Sequence, residues 1–228
     1  MVTFEVRRPD AMELCDVHFQ NNPEKICDLR PDVLGYILNM ANLNFESRVL
    51  LVENTRGLLA GAVIERGINY CLMVEFNQDK SVKYRNDFLY QMDIATNDHK
   101  AMSSIAANML LPLNKDDPDD VDPLLPVLKK KFKKSFSSFI FVHDHLHPAE
   151  VFTALRQYLQ PSASIAVYSQ FLQPLTELMK SLLASKDTID ARIEELCTRE
   201  HQVLPLRTHP HMSTNGRSGY VLTAVVLA

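Results

Sequence analysis

Arg48 to Gly67 reads RVLLVENTRGLLAGAVIERG, and the fold of the chain turns on this stretch. A continuous apolar run, Val49 to Val52, ends in an acid, Glu53. Such short apolar runs, bounded by turn signals, suit a strand buried on both faces of a parallel sheet. A turn with one glycine, Gly57, follows. An apolar segment from Leu58 to Ile64 then runs to Gly67, a natural helix stop. Strand, turn and helix in this order form the unit in which doubly wound folds hold a nucleotide cofactor.

The turn is poor in glycine. A methyltransferase-type cofactor loop resembles acid-x-Gly-x-Gly-x-Gly, because small residues let the backbone approach a ligand and adopt positive φ. Counted from Glu53, those glycine positions hold Thr55, Gly57 and Leu59. A β-branched Thr in a left-handed conformation would cost about 1–2 kcal/mol. Thr55, Arg56 and Leu59 are expected to fill the space a cofactor would need. Glu75 stands where such folds often place a ribose-binding acid, yet a strand-end acid at the surface is common.

Outward from this unit, strand and helix signals alternate. Residues 10–21 form an amphipathic pattern, with Asp10 and Glu13 as a capping box and Met12, Leu14, Val17 and His18 near helical spacing. A second helix starts near Pro31 and turns Val33, Leu34, Ile37, Leu38 and Ala41 inward. Cys71 to Phe76 is a second buried strand. Residues 81–91 favour helix, and Met102 to Leu110 reads as another short helix. Phe139 to Val142 is a third strand. Pro148 opens a helix carrying Val151, Phe152, Leu155 and Leu159, and Pro161 closes it. Ile165 to Tyr168 is a strand, and Pro174 to Ala184 a helix. Ile189, Ala191 and Ile193 alternate as in a strand, although a helix is also allowed there. Tyr220 to Leu227 is the last strand. The alternation predicts an α/β fold: a mostly parallel sheet with helices on both faces and an antiparallel tail.

The chain has 228 residues, 46% hydrophobic and 23% charged, which suits one large domain with a full core, or a domain and a half. A net charge of −4 excludes a global basic field, so nucleic acid would need local patches. The four cysteines form no CxxC pair and read as the reduced thiols of a cytosolic or nuclear protein, mostly core filler. No apolar run approaches the roughly 20 residues that span a bilayer. Between Pro112 and Pro126 lie five aspartates, an acidic, proline-broken linker. Directly after it comes the strongest positive field, Lys129, Lys130, Lys131, Lys133 and Lys134, with Phe132 and Phe136 as candidate core anchors. These lysines suit phosphate contacts or a solvated face that balances the aspartates.

Two other clusters carry chemistry. His143, Asp144, His145 and His147, with Glu150 nearby, could share a metal or could be solvated loop residues. No other ligand cluster completes a metal pattern. The block from Thr198 to Leu222 is polar and basic between two strand candidates, and Arg207 and Arg217 could bind phosphate bidentately. No nucleophile–base–acid series is visible.

This last block carries a resemblance. Arg199 to Met212, REHQVLPLRTHPHM, and Gly219 to Thr223, GYVLT, are similar to the non-catalytic subunit family of the eukaryotic tRNA adenine-N1 methyltransferase that acts on the T-loop. FEVRRP at 4–9, KICDLR at 25–30, RVLLVE at 48–53 and PSASIAVY at 161–168 resemble it too. The resemblance implies a single degenerate, Rossmann-like methyltransferase domain over 1–228, with seven strands and an antiparallel C-terminal strand. Residues 1–47 form its helical lead-in, 112–126 its linker, and the family's N-terminal β-barrel is missing. It implies no catalytic residue and no cofactor bound by this subunit, S-adenosylmethionine being held by a catalytic partner. The implied partners are that subunit, in a two-plus-two heterotetramer, and tRNA, with no membrane; the implied compartment is the nucleus. Asp144 falls near the family's catalytic acid in a different setting, so that role is not transferred. Arg207, His209 and Arg217 stand on motif positions for RNA or partner binding, with the lysines beside them as candidates. The alternatives are an active S-adenosylmethionine-dependent enzyme with a divergent loop, and a metal-dependent enzyme using the histidines.

Overall fold

The computed structural model describes residues 3, 4, 6, 8–76, 87–94, 101–107, 130–213 and 219–227. The acidic linker, residues 81–86, Lys129 and Arg217 lie outside them. Seven strands form one sheet in the order β3-β2-β1-β4-β5-β9-β6. They are β1 (Arg48–Glu53), β2 (Tyr70–Glu75), β3 (Met102–Ala106), β4 (Phe136–Val142), β5 (Leu159–Ser169), β6 (Thr188–Leu196) and β9 (Gly219–Val226). Neighbours from β3 to β5 are parallel, and β9 runs antiparallel to both β5 and β6. Two short strands, β7 (His201–Gln202) and β8 (His209–Pro210), pair in the tail between β6 and β9.

Helices cover both faces. One core packs α1 (Ala11–Asn21), α2 (Pro31–Met40), α3 (Leu58–Glu65) and α4 (Asp87–Gln91) on the sheet. The lead-in therefore shares one core with the strands. The other face carries α5 (Pro148–Leu155) and α6 (Leu172–Ser185). Val49 to Val52 are fully buried, as a central parallel strand requires.

Three expectations change. Met102 to Leu110 begins as a strand, not a helix: β3 pairs with β2 from Cys71↔Met102 to Glu75↔Ala106, and the ladder overrides a helix-compatible pattern. Asp10 caps α1 by accepting from the Glu13 amide at 2.7 Å, but the inward face is Ala11, Leu14, Cys15 and Phe19. Met12 and Val17 are exposed. Leu159 does not extend α5; it opens β5, where Pro161 sits between the pairs Phe136↔Leu159 and Ser138↔Ser164. The register slips there, so proline's missing N–H costs no ladder bond.

Candidate functional site

The chain moves outward from β1 to β3 and then returns to β4 on the other side of β1. The carboxyl edge of β1 and β4 is thus the switch point where doubly wound folds place a ligand. Glu53 and Val142 are register partners there. Asn54 joins the two strand ends: its amide donates to Val142 O at 2.9 Å and its Nδ2 to Asp144 Oδ1 at 2.7 Å.

The turn after β1 is closed on itself. The Thr55 hydroxyl donates to Glu53 Oε2, and the Leu59 amide donates to Glu53 Oε2 at 3.2 Å and to Thr55 Oγ1 at 3.1 Å. Glu53 Oε1 is buried and has no hydrogen-bond partner. Burial, only partly offset by bonds from Thr55 and the loop amides, pushes this carboxyl up to about 7. The left-handed residues are Arg56 (φ 57°) and Gly57 (φ 91°), not Thr55. Thr55 and Leu59 are fully buried, so they do not intrude on the cleft as expected. Leu59 lies in the first turn of α3 and faces the core, while Thr55 is drawn inward by Glu53. Arg56 takes their place: it lines an open depression of about 500 Å³ with Glu24, Lys25, Asp28, Asp144 and His145. Beside it, a cavity of about 70 Å³ lies among Cys27, His143, Asp144, Tyr168 and Phe171.

The histidines diverge into separate tasks. His143 Nδ1 accepts from the amides of His145 (3.1 Å) and Leu146 (3.3 Å), and burial lowers its proton affinity, which keeps the ring neutral. His145 Nε2 stands 3.3 Å from Asp144 Oδ2, and His147 Nε2 stands 2.9 Å from Glu177 Oε2 on α6. Among the described residues no group of three His, Cys, Asp or Glu is arranged to hold a metal ion.

The basic candidates do not converge. Lys130, Lys131, Lys133 and Lys134 are exposed just before β4, at the amino edge of the sheet, while Phe132 and Phe136 are buried with ring centroids 5.7 Å apart. Arg207 and His209 belong to the tail after β6, at the carboxyl edge, where Leu196 pairs with Gly219. Seven residues of β4 set these edges about 20 Å apart. Both tail residues are exposed; His209 also pairs with Gln202. The sequence reading missed Arg30 and Asp32, which hold the start of the tail from 166 or more residues away in the chain. A long-range hydrogen-bonded contact leaves no local signal.

The strand order, the parallel register and the switch-point cleft define a Rossmann-like, methyltransferase-type fold. Solved structures agree. The tRNA (m1A58) methyltransferase TrmI from Aquifex aeolicus matches with TM-score 0.70 and 18% identity, covering 98% of this chain and 78% of that one. An S-adenosylmethionine-dependent O-methyltransferase from Thermotoga maritima matches with TM-score 0.70 and 12% identity, over 96% and 72%. The sequence profile of the Gcd10p family matches residues 1–197, and the chain belongs to that family. It is 26% identical to the tRNA (adenine(58)-N(1))-methyltransferase non-catalytic subunit trm6 of Dictyostelium discoideum, over 96% of this chain and 50% of that one. Against the subunit of the same name from Mus musculus the identity is 21%, over 96% and 59%. The chain spans about half the length of the relatives it matches.

Proposed function

We propose that this chain is the methyltransferase-like part of a non-catalytic subunit of a tRNA adenine-N1 methyltransferase, which pairs with a catalytic subunit in a two-plus-two heterotetramer and helps hold tRNA. In this reading S-adenosylmethionine is bound by the partner, and the complex works in the nucleus. One observation carries the reading: the turn that would receive the cofactor spends its polar groups on itself. Glu53 is taken by Thr55 and Leu59, and Arg56 stands in the depression outside. A loop with one glycine has little backbone open to a ligand. The kinship to proteins named as non-catalytic subunits supports the same conclusion.

The partner interface falls to the tail, which exposes Val203, Leu206 and Met212. Pairing of this kind buries on the order of 2,000 Å² or more. RNA contact is electrostatic and shape-reading, since folded tRNA hides most base edges. The tail and the lysines stand at opposite edges of the sheet, so each meets a different part of the assembly.

Co-purification with the catalytic subunit, followed by tRNA methylation with and without this chain, tests the reading. Both should depend on it. Calorimetric titration of the chain with S-adenosylmethionine should give no heat; micromolar binding would instead favour the active-enzyme reading. If about three of the lysines meet phosphates, a fourfold rise in salt weakens tRNA binding by the complex roughly fortyfold. Replacing Lys130, Lys131, Lys133 and Lys134 by Gln should flatten that slope, and an unchanged slope removes the lysines from the RNA surface.

A further inference from the structure

The start of the tail is fastened to one short segment, residues 27–32, and its far end packs on a ring that the same segment holds. At its start, the Thr198 amide and hydroxyl donate to Asp32 Oδ2 at 3.0 and 2.9 Å. The Arg30 Nη2 donates to Thr198 O at 3.2 Å and to Thr198 Oγ1 at 2.9 Å. Arg30 and Asp32 are joined by a fork, Nε to Oδ1 at 2.9 Å and Nη2 to Oδ2 at 3.0 Å. The guanidinium also lies 5.9 Å from the Phe19 ring centroid on α1. At the far end, Gly219 leaves room for the Tyr168 ring, whose hydroxyl donates to Asp28 O at 3.2 Å. Gln170 Nε2 donates to Asp28 Oδ2 at 2.5 Å. Cys27 and Asp28 are both left-handed, with φ 55° and 53°, and Cys27 Sγ lies 3.5 Å from Asn54 O. The same corner therefore braces the closed turn after β1.

This arrangement is more than core packing. Arg30 is 8% exposed, and an ion pair so enclosed seldom adds stability over an apolar replacement; its best-attested use is to fix register. Desolvation would raise the Asp32 carboxyl, yet the bonds from Arg30 and Thr198 and the Arg30 charge hold it below its usual value. The pair thus stays charged, and a planar fork fixes direction as well as distance. Arg30 Nη2 and Asp32 Oδ2 both reach on to Thr198, the first residue of the tail after Cys197. Among the described residues from Arg199 to Ser213 the backbone bonds are internal to the tail: the Arg207 amide to Leu204 O, the His211 amide to Glu200 O and one two-residue pairing.

We infer that Arg30 and Asp32 are positioning residues for the tail: through Thr198 they fix its departure from β6, so that its exposed side chains meet a protein partner in one orientation. The partner's identity rests on the function proposed above; the clamp does not. Thr198→Val removes the hydroxyl at an exposed position and keeps the shape, and Asp32→Asn removes the charge. Trypsin cleavage after the exposed Arg199, followed by mass spectrometry on the chain alone, reads the clamp. Both variants should be cut about tenfold faster than the parent, with the thermal unfolding of Thr198→Val unchanged. Equal cleavage of Thr198→Val and the parent overturns the clamp, even where Asp32→Asn unfolds. In the second arm, Thr198→Val should bind the catalytic subunit about tenfold more weakly. Faster cleavage with undiminished binding overturns the orienting role. A parent chain that does not bind the catalytic subunit at all defeats the proposed function and leaves the cleavage result standing.

Discussion

The turn after β1 and the tail after β6 both sit at the carboxyl edge of the sheet, yet they use their polar groups in opposite ways. In the turn, Thr55 and Leu59 are fully buried and the Glu53 carboxylate is enclosed by its own loop. In the tail, Arg199, Arg207, His209 and His211 face solvent, and so do Val203, Leu206 and Met212. The turn keeps the strand–turn–helix frame of a cofactor site and directs its bonds inward. The described residues of the tail, 198–213, are exposed or half-buried and direct their side chains outward. A frame can thus be retained for packing alone, because β1 and α3 bury their apolar residues whatever the loop between them binds.

The sharpest way to break this contrast is through Glu53. Its carboxyl stands at about 7 in the fold against an ordinary 4.5, because burial disfavours the charge. A carboxyl raised in the folded state contributes stability that is fully present below pH 4.5 and is lost as pH rises through 7. The parent should therefore lose on the order of 3 kcal/mol across that window relative to Glu53→Gln. Paired denaturant titrations at pH 5 and pH 8 measure it. Parallel stability profiles for the two proteins would mean that the turn is open and the carboxylate hydrated.

The next effect is at the seam between the two regions. A Cβ on Gly219 would lie under 3.0 Å from three atoms of the Tyr168 side chain, two of the ring and its hydroxyl oxygen, which is itself buried and tied to Asp28. Gly219→Ala should cost about 2 kcal/mol, as overpacking of a stiff ring does. Gly61 in α3 is the control. There a Cβ meets the end of Met92, a flexible side chain, and helix propensity favours alanine by about 1 kcal/mol. Gly61→Ala should therefore be the milder of the two in thermal unfolding. The reverse order would show that Tyr168 can swing away and that the seam is soft.

Sequence showed the frame more readily than the joints. Val49 to Val52 and Phe139 to Val142 were legible because central parallel strands are apolar on both faces. The antiparallel end was legible from two strand signals without a helix between them. β3 was not: it is a strand of Met102, Ser103, Ser104 and Ile105 that, among the described residues, pairs with β2 alone, and its spacing also suits a helix. The phase of α1 was lost because Met12 and Val17 are more apolar than Ala11 and Cys15, which are buried. In the turn the closure was foreseen, but through the wrong side chains. Positive φ at Arg56 and the inward pull of Glu53 on Thr55 depend on geometry that spacing does not encode. The Arg30–Asp32–Thr198 clamp joins residues 166 or more positions apart, beyond any local pattern.

The smallest stability effect tests the tail most directly. Leu206 is fully exposed and holds φ 59°, so it keeps an apolar side chain in water on a left-handed backbone. Either feature alone is unfavourable, and a bulky residue at positive φ is strained by about 1 kcal/mol or more. Asparagine tolerates that conformation and is polar. Leu206→Asn should accordingly leave the chain as stable or more stable, by up to about 1 kcal/mol. If the leucine is kept for a partner, the same variant should weaken binding to the catalytic subunit at least tenfold, as loss of a buried apolar anchor does. Unchanged binding would mean that the outward-facing tail is only a polar loop, and the contrast with the closed turn would lose its functional half.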